Sequence, residues 1–125
     1  MIDAPVKRVL VIDDDQGFRD FARDAALSQG WAVETAANGQ GGCTAFTRFK
    51  PDVVVLDIVM PEMDGFEVLR WFAQSGAVAK FIVLTGYNPD YANAAEKLGG
   101  AMGLNQVQML TKPVRLATLV AAIAG

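Results

Sequence analysis

Apolar residues along this chain fall into short continuous runs that alternate with stretches spaced at a helical period. Val9-Leu10-Val11-Ile12, Val53-Val54-Val55-Leu56 and Phe81-Ile82-Val83-Leu84 are apolar throughout. That is the pattern of strands buried on both faces, which occur in parallel sheets covered by helices. Lys7 to Ile12 reads as the first strand. Trp31 to Ala36 is shorter and broken by Glu34 and Thr35, so it is expected at a sheet edge. Met109-Leu110-Thr111 predicts a short fifth strand. Between these runs the helical spacing predicts a first helix over Gln16 to Ser28, capped by Asp15, stopped by Gly30, and placing Phe18, Phe21, Ala22 and Ala25 in the core. Asn38-Gly39 predicts a turn, followed by a helix from about Gln40 to Phe49 that Lys50-Pro51-Asp52 stops. Phe66, Val68, Leu69 and Phe72 predict a third helix ending near Ser75-Gly76, and a fourth is expected from Asn88 or Pro89 to about Leu98. Glycines at 99, 100 and 103 predict an irregular stretch through Gln108. The last helix carries Leu116, Leu119, Val120 and Ile123 on one face and ends at Gly125.

Strand and helix thus alternate five times, which implies an open parallel sheet with helices on both faces and right-handed crossovers. Such a sheet brings the C-terminal strand ends to one rim, where α/β folds place their binding sites. At 125 residues the chain reads as one domain over residues 1–125, with no linker or output domain after the last helix.

Composition narrows the chemistry. A net charge of −3 with scattered Lys and Arg residues gives no basic face for nucleic acid. No apolar stretch reaches membrane-spanning length, Met1 to Pro5 lacks a signal peptide's pattern, and a single Cys fits the cytoplasm. Cys43 reads as a small packing residue. With no histidine on the chain, His acid/base catalysis, His metal ligands and a phosphohistidine of its own are excluded. Gly39-Gln40-Gly41-Gly42 invites a phosphate-loop reading but lacks the GxxxxGK[ST] pattern.

The buried strands end in polar groups: Asp13-Asp14-Asp15 after the first, Asp57 after the third, Thr85 after the fourth, and Lys112 follows the fifth. One acid suffices as a helix cap, and Asp15 fits that role, leaving Asp13 and Asp14 to explain. Three carboxylates on one rim repel one another unless a cation neutralises them. Oxygen-only ligation selects a hard ion such as Mg²⁺. Thr85 and Lys112 would supply a hydroxyl and a positive charge to phosphoryl oxygens, and a carboxylate in that company can attack phosphorus to give an acyl phosphate. Asp57 is the candidate nucleophile.

These residues carry a resemblance. Asp13-Asp14, Asp57 with Met60-Pro61 and Asp64-Gly65, Thr85, and Lys112-Pro113, in that order and near the expected spacing, make the chain similar to response-regulator receiver domains over essentially its whole length. The resemblance implies a flavodoxin-like (βα)5 three-layer sandwich whose five-stranded parallel sheet has the order 2-1-3-4-5. It implies that Asp57 accepts a phosphoryl group from a phosphohistidine on a histidine kinase or histidine phosphotransfer protein, and that the chain signals to a downstream protein. Mg²⁺ would be held directly by Asp14, Asp57 and the Val59 carbonyl, with Asp13 helping through water, and Lys112-Pro113 would be cis.

The chain departs from the family where Met109 stands in place of the usual Tyr or Phe and where Ala101 to Gln108 is longer than usual. A remodelled surface between the fourth helix and the fifth strand is expected from this. Val59 and Tyr87, just beyond Asp57 and Thr85, carry neither an acid nor an amide to position water, which predicts slow self-dephosphorylation. Such a chain catalyses only its own phosphorylation and dephosphorylation. Three other readings stand beside it: an aspartyl-phosphate phosphohydrolase, against which the second position after Asp57 is Val59 rather than an acid; a flavodoxin-like cofactor binder, which the acidic rim opposes; and a receiver-shaped interaction module that takes no phosphate. Pairing of two copies through the fourth and fifth predicted helices is left open by the sequence.

Overall fold

The computed structural model describes residues 6–58, 60, 65–76, 78–86, 104 and 106–125. Their order is β1 (Arg8–Ile12), α1 (Gln16–Ser28), β2 (Ala32–Ala36), α2 (Gly39–Phe49), β3 (Val53–Asp57), α3 (Gly65–Gln74), β4 (Lys80–Thr85), β5 (Val107–Thr111) and α4 (Leu116–Ala124). The strands form one parallel sheet in the order β2-β1-β3-β4-β5. The expected doubly covered sheet is therefore present, with the weakly apolar β2 at its edge. The helix expected from Asn88 or Pro89 to Leu98, the glycines at 99, 100 and 103, and Val59, Pro61, Asp64 and Tyr87 lie outside the described residues.

Strand alternation splits the core in two. Leu10, Ile12, Val54, Leu56, Phe81 and Val83 face α2 and α3, meeting Cys43, Val68, Leu69 and Phe72. Val9, Val11, Val53, Val55, Ile82 and Leu84 face α1 and α4, meeting Ala22, Ala26, Leu119 and Ile123. All of these are buried, and their burial is the main force that holds the layers together. Burial also pushes the Cys43 thiol up to about 11, which leaves almost no thiolate near neutral pH and fits its packing role.

Several local expectations are corrected. Phe21 is 36% exposed and not a core residue, because the buried face of α1 consists of Ala22, Ala25 and Ala26. Leu116 is 51% exposed for the same kind of reason, since Leu119 and Ile123 carry the contact of α4. Asn38 does not merely turn the chain. Its side chain accepts a hydrogen bond from the Gly41 amide at 2.7 Å, so α2 starts at Gly39, one residue early. β5 starts at Val107 rather than Met109, because pairing with β4 (Phe81 opposite Val107, Ile82 opposite Gln108) overrides the polar sequence. The strand side of the surface expected to be remodelled thus keeps an ordinary parallel register through Met109.

The glycines of α2 serve packing. A Cβ on Gly42 would meet Ile12 Cδ1 at 2.5 Å and Cγ1 at 2.8 Å, so only a bare helix backbone can lie this close to β1. Gly42→Ala is therefore expected to destabilise the fold by about 1–3 kcal/mol despite the better helix propensity of alanine. Adding Ile12→Val should recover part of that loss. Denaturant melts of the two single variants and the pair check this, and strict additivity would mean the two sites do not touch.

Candidate functional site

β1 and β3 are paired with Ile12 opposite Leu56, so the residues that follow, Asp13 and Asp57, come out side by side. On the other flank Asp57 is opposite Leu84, and Leu84 is opposite Leu110. Two residues beyond Leu110, Lys112 keeps the same side of the sheet, and its amide donates to the Thr85 carbonyl at 2.8 Å. Register alone therefore brings two acids and an ammonium together at the ends of strands that are not neighbours in sequence.

The side chains converge. Lys112 Nζ donates to Asp13 Oδ2 at 2.6 Å and to Asp57 Oδ2 at 3.4 Å. Asp13 is fully buried and Asp57 nearly so. Carboxylates at such depth persist only with partners, and Asp13 is fully employed: its Oδ1 accepts the Asp15 amide at 2.9 Å, and its carbonyl accepts Arg19 Nη1 at 2.9 Å. Asp15 in turn caps α1 by accepting from the Gly17 amide at 3.1 Å, as expected from the sequence. Thr85 is 2% exposed at the end of β4. It belongs to the opposite side of the sheet from Asp57, in line with Phe81 and Val83. The Lys112-Pro113 bond is cis, as the resemblance implied.

Burial by itself would lower the Lys112 pKa. The hydrogen bond and charge of Asp13, with the charge of Asp57 added, outweigh it and hold the pKa above the ordinary lysine value. The ammonium is thus charged throughout the neutral range. Because the folded value lies above the unfolded one, its stabilising contribution is complete below about pH 10 and is lost as pH rises through the folded value.

One carboxylate oxygen from each of Asp13, Asp14 and Asp57 lies within 4.8 Å of the others. This donor set suits a hard divalent cation. Both Asp13 oxygens are already engaged, whereas Asp14 is exposed, so of these two Asp14 is better placed for direct ligation. The Val59 carbonyl, the remaining expected ligand, lies outside the described residues.

Sequence reasoning missed two groups here. The Phe18 ring lies under Lys112, with Nζ 4.5 Å from its centroid, and Arg19 ties α1 to the acidic loop. Both sit in the first turn of α1, and helical side chains lean back toward the N-terminus, which is the signal that could have found them. A groove of about 530 Å³ opens beside the site, its apolar lining Phe18, Phe21, Pro113 and Val114, with Lys112, Asp15 and Gly86 also at its wall.

Comparison with known proteins agrees with this arrangement. A sequence model of the family described as "Response regulator receiver domain" matches residues 9–124. The chain is 34% identical over 118 residues to the transcriptional regulatory protein TrcR of Mycobacterium tuberculosis, covering 94% of this chain and 44% of TrcR. It is 33% identical over 114 residues to the response regulator MprA of Mycolicibacterium vanbaalenii, covering 91% of this chain and 47% of MprA. The chain therefore spans about half the length of the curated relatives it matches. Among solved structures, the chemotaxis protein CheY4 of Vibrio cholerae superposes with a TM-score of 0.82 at 25% identity, over 96% of this chain and 98% of that one. Sheet order, rim chemistry and relatives agree, and the chain belongs to the response-regulator receiver domains, the phosphoacceptor modules of two-component signalling.

Proposed function

We propose that this chain takes a phosphoryl group from a phosphohistidine of a histidine kinase or histidine phosphotransfer protein onto Asp57, with Mg²⁺, and passes the resulting change to a downstream protein in the cytoplasm. The observation that carries this reading is the meeting of Lys112 Nζ with Asp13 at 2.6 Å and Asp57 at 3.4 Å beside a buried Thr85. A lysine shared by two acids is a phosphate receptor in waiting: it neutralises them until phosphoryl oxygens arrive and then turns to those oxygens.

In the reaction a carboxylate oxygen of Asp57 attacks phosphorus, the phosphorus–nitrogen bond breaks, and the imidazole leaves with the electron pair. Lys112 meets the charge on the phosphoryl oxygens, and the Thr85 hydroxyl donates to one of them. Mg²⁺ held by Asp14 and Asp57, with Asp13 behind them, supplies further neutralising charge when bound. Chemistry of this kind is confined to the chain's own phosphorylation and dephosphorylation. Incubation with a small acyl phosphate, with and without Mg²⁺, followed by intact-mass measurement, tests the reading. A Mg²⁺-dependent adduct supports it, whereas folded protein that takes none leaves the receiver-shaped interaction module.

The groove beside Lys112 suits the protein donor. Phe21, 36% exposed, with Pro113 and Val114 forms an apolar margin beside Lys112, and apolar anchors of this kind dominate docking energetics. Phe21→Asp is expected to lower the ratio of the protein-donor rate to the small-donor rate by about tenfold. An unchanged ratio would move the docking face elsewhere.

A further inference from the structure

We infer that Phe18 is a positioning residue that holds the Lys112 ammonium at the place where phosphoryl oxygens arrive. The inference rests on the phosphoacceptor reading and concerns how its lysine is aimed.

Among the described residues, Lys112 makes three contacts at its ammonium: Asp13 Oδ2 at 2.6 Å, Asp57 Oδ2 at 3.4 Å, and the Phe18 ring with its centroid at 4.5 Å. The two carboxylates are the groups a divalent cation also wants. When that cation and a phosphoryl group enter, the ammonium must loosen its hold on the acids without swinging into solvent on its flexible stem. A third carboxylate would hold it too well, and would add to the repulsion on the rim. An aromatic face attracts the charge through its quadrupole but offers no strong acceptor that competes with phosphoryl oxygens. The ring therefore restrains the ammonium while leaving its N–H groups to the substrate.

The ring is itself fixed. Gly17, just before it, donates its amide to Asp15, and Arg19, just after it, donates to the Asp13 carbonyl. Phe18 also packs on the core between the sheet and α1 and α4, and its ring meets Phe21 at 5.8 Å. Acid, ring and ammonium thus form one unit built from the acidic loop, the first turn of α1 and the residue that follows β5. Among the described residues, the apolar packing around Phe18 does not itself require an aromatic, because a leucine would fill much of the same space.

The test compares Phe18→Leu, which keeps the apolar bulk, with Phe18→Tyr, which keeps the π face. Two readouts are taken on the wild type and both variants: the rate of adduct formation with a small acyl phosphate at saturating Mg²⁺, and the chemical shift of the Lys112 Cε protons. We expect Phe18→Leu to slow the reaction about three- to tenfold and to abolish the upfield ring-current shift of those protons, and Phe18→Tyr to restore both. Wild-type speed in Phe18→Leu, or equal slowing in both variants, would overturn the inference, the second outcome because it means packing alone. If the wild type takes no adduct at all, the phosphoacceptor reading has failed instead. The shift still decides the ring's role in that case, and Lys112 protons at their ordinary position in the wild type sink it.

Discussion

Asp57→Asn is expected to abolish the phosphoryl adduct completely while raising the melting temperature in the absence of divalent cations. The amide nearly matches the carboxylate in shape, so the strand end and the pairing of Asp57 opposite Leu84 should persist. It lacks the charged oxygen that attacks phosphorus, and no other acid among the described residues is equivalent. Asp13 has both oxygens engaged, and Asp14 is exposed rather than set at the end of a buried strand. The stability gain follows from counting charge. Among the described residues, three carboxylates face one ammonium in the site, and removing one relieves repulsion between them. Added Mg²⁺ should stabilise the wild type more than the variant and narrow the difference. Intact-mass measurement and thermal melts in chelator and in Mg²⁺ read both halves. An adduct that survives the substitution would move the acceptor elsewhere on the rim, and a variant that melts lower in chelator would mean the cluster helps the fold without a metal.

Phe72→Ala is expected to have the largest effect on stability. Phe72 is fully buried on α3, and its ring meets Phe46 at 4.7 Å, Phe81 at 5.1 Å and Trp71 at 5.3 Å. It therefore joins α2 and α3 to β4 on one face of the sheet. Truncating such a ring costs about 3–5 kcal/mol, through lost transfer energy and the cavity left behind. Domains of this size are stable by only about 5–15 kcal/mol. The midpoint of thermal unfolding should fall by about 10–20 °C, and circular dichroism measures it directly. A drop of a few degrees would show that the three surrounding aromatics collapse into the space.

Much of the site was legible because its residues end parallel strands, three of them buried. A polar group that closes a run such as Val53 to Leu56 must emerge at the rim, and parallel strands put all such ends together, so Asp13, Asp57, Thr85 and Lys112 could be read in advance. What escaped the sequence depends on how helices settle against the sheet. The period of α1 could not say whether Phe21 or the alanines would face the core, nor that Phe18 would slide under Lys112. The early start of β5 was hidden because Gln106 and Gln108 look like loop residues until β4 offers them a partner.

The two-sided core gives the rim a property that no single residue has. Asp57 continues the row of Val53 and Val55, which rests on α1 and α4, whereas Thr85 continues the row of Phe81 and Val83, which rests on α2 and α3. The sheet is a partition, and side chains on one surface cannot touch those on the other except around its edge. A phosphoryl group bonded to Asp57 and gripped by Thr85 would be a rivet through that partition. It would add to the shared sheet a direct tie between its two faces at a single point, so that a change made on one side is felt as tension on the other.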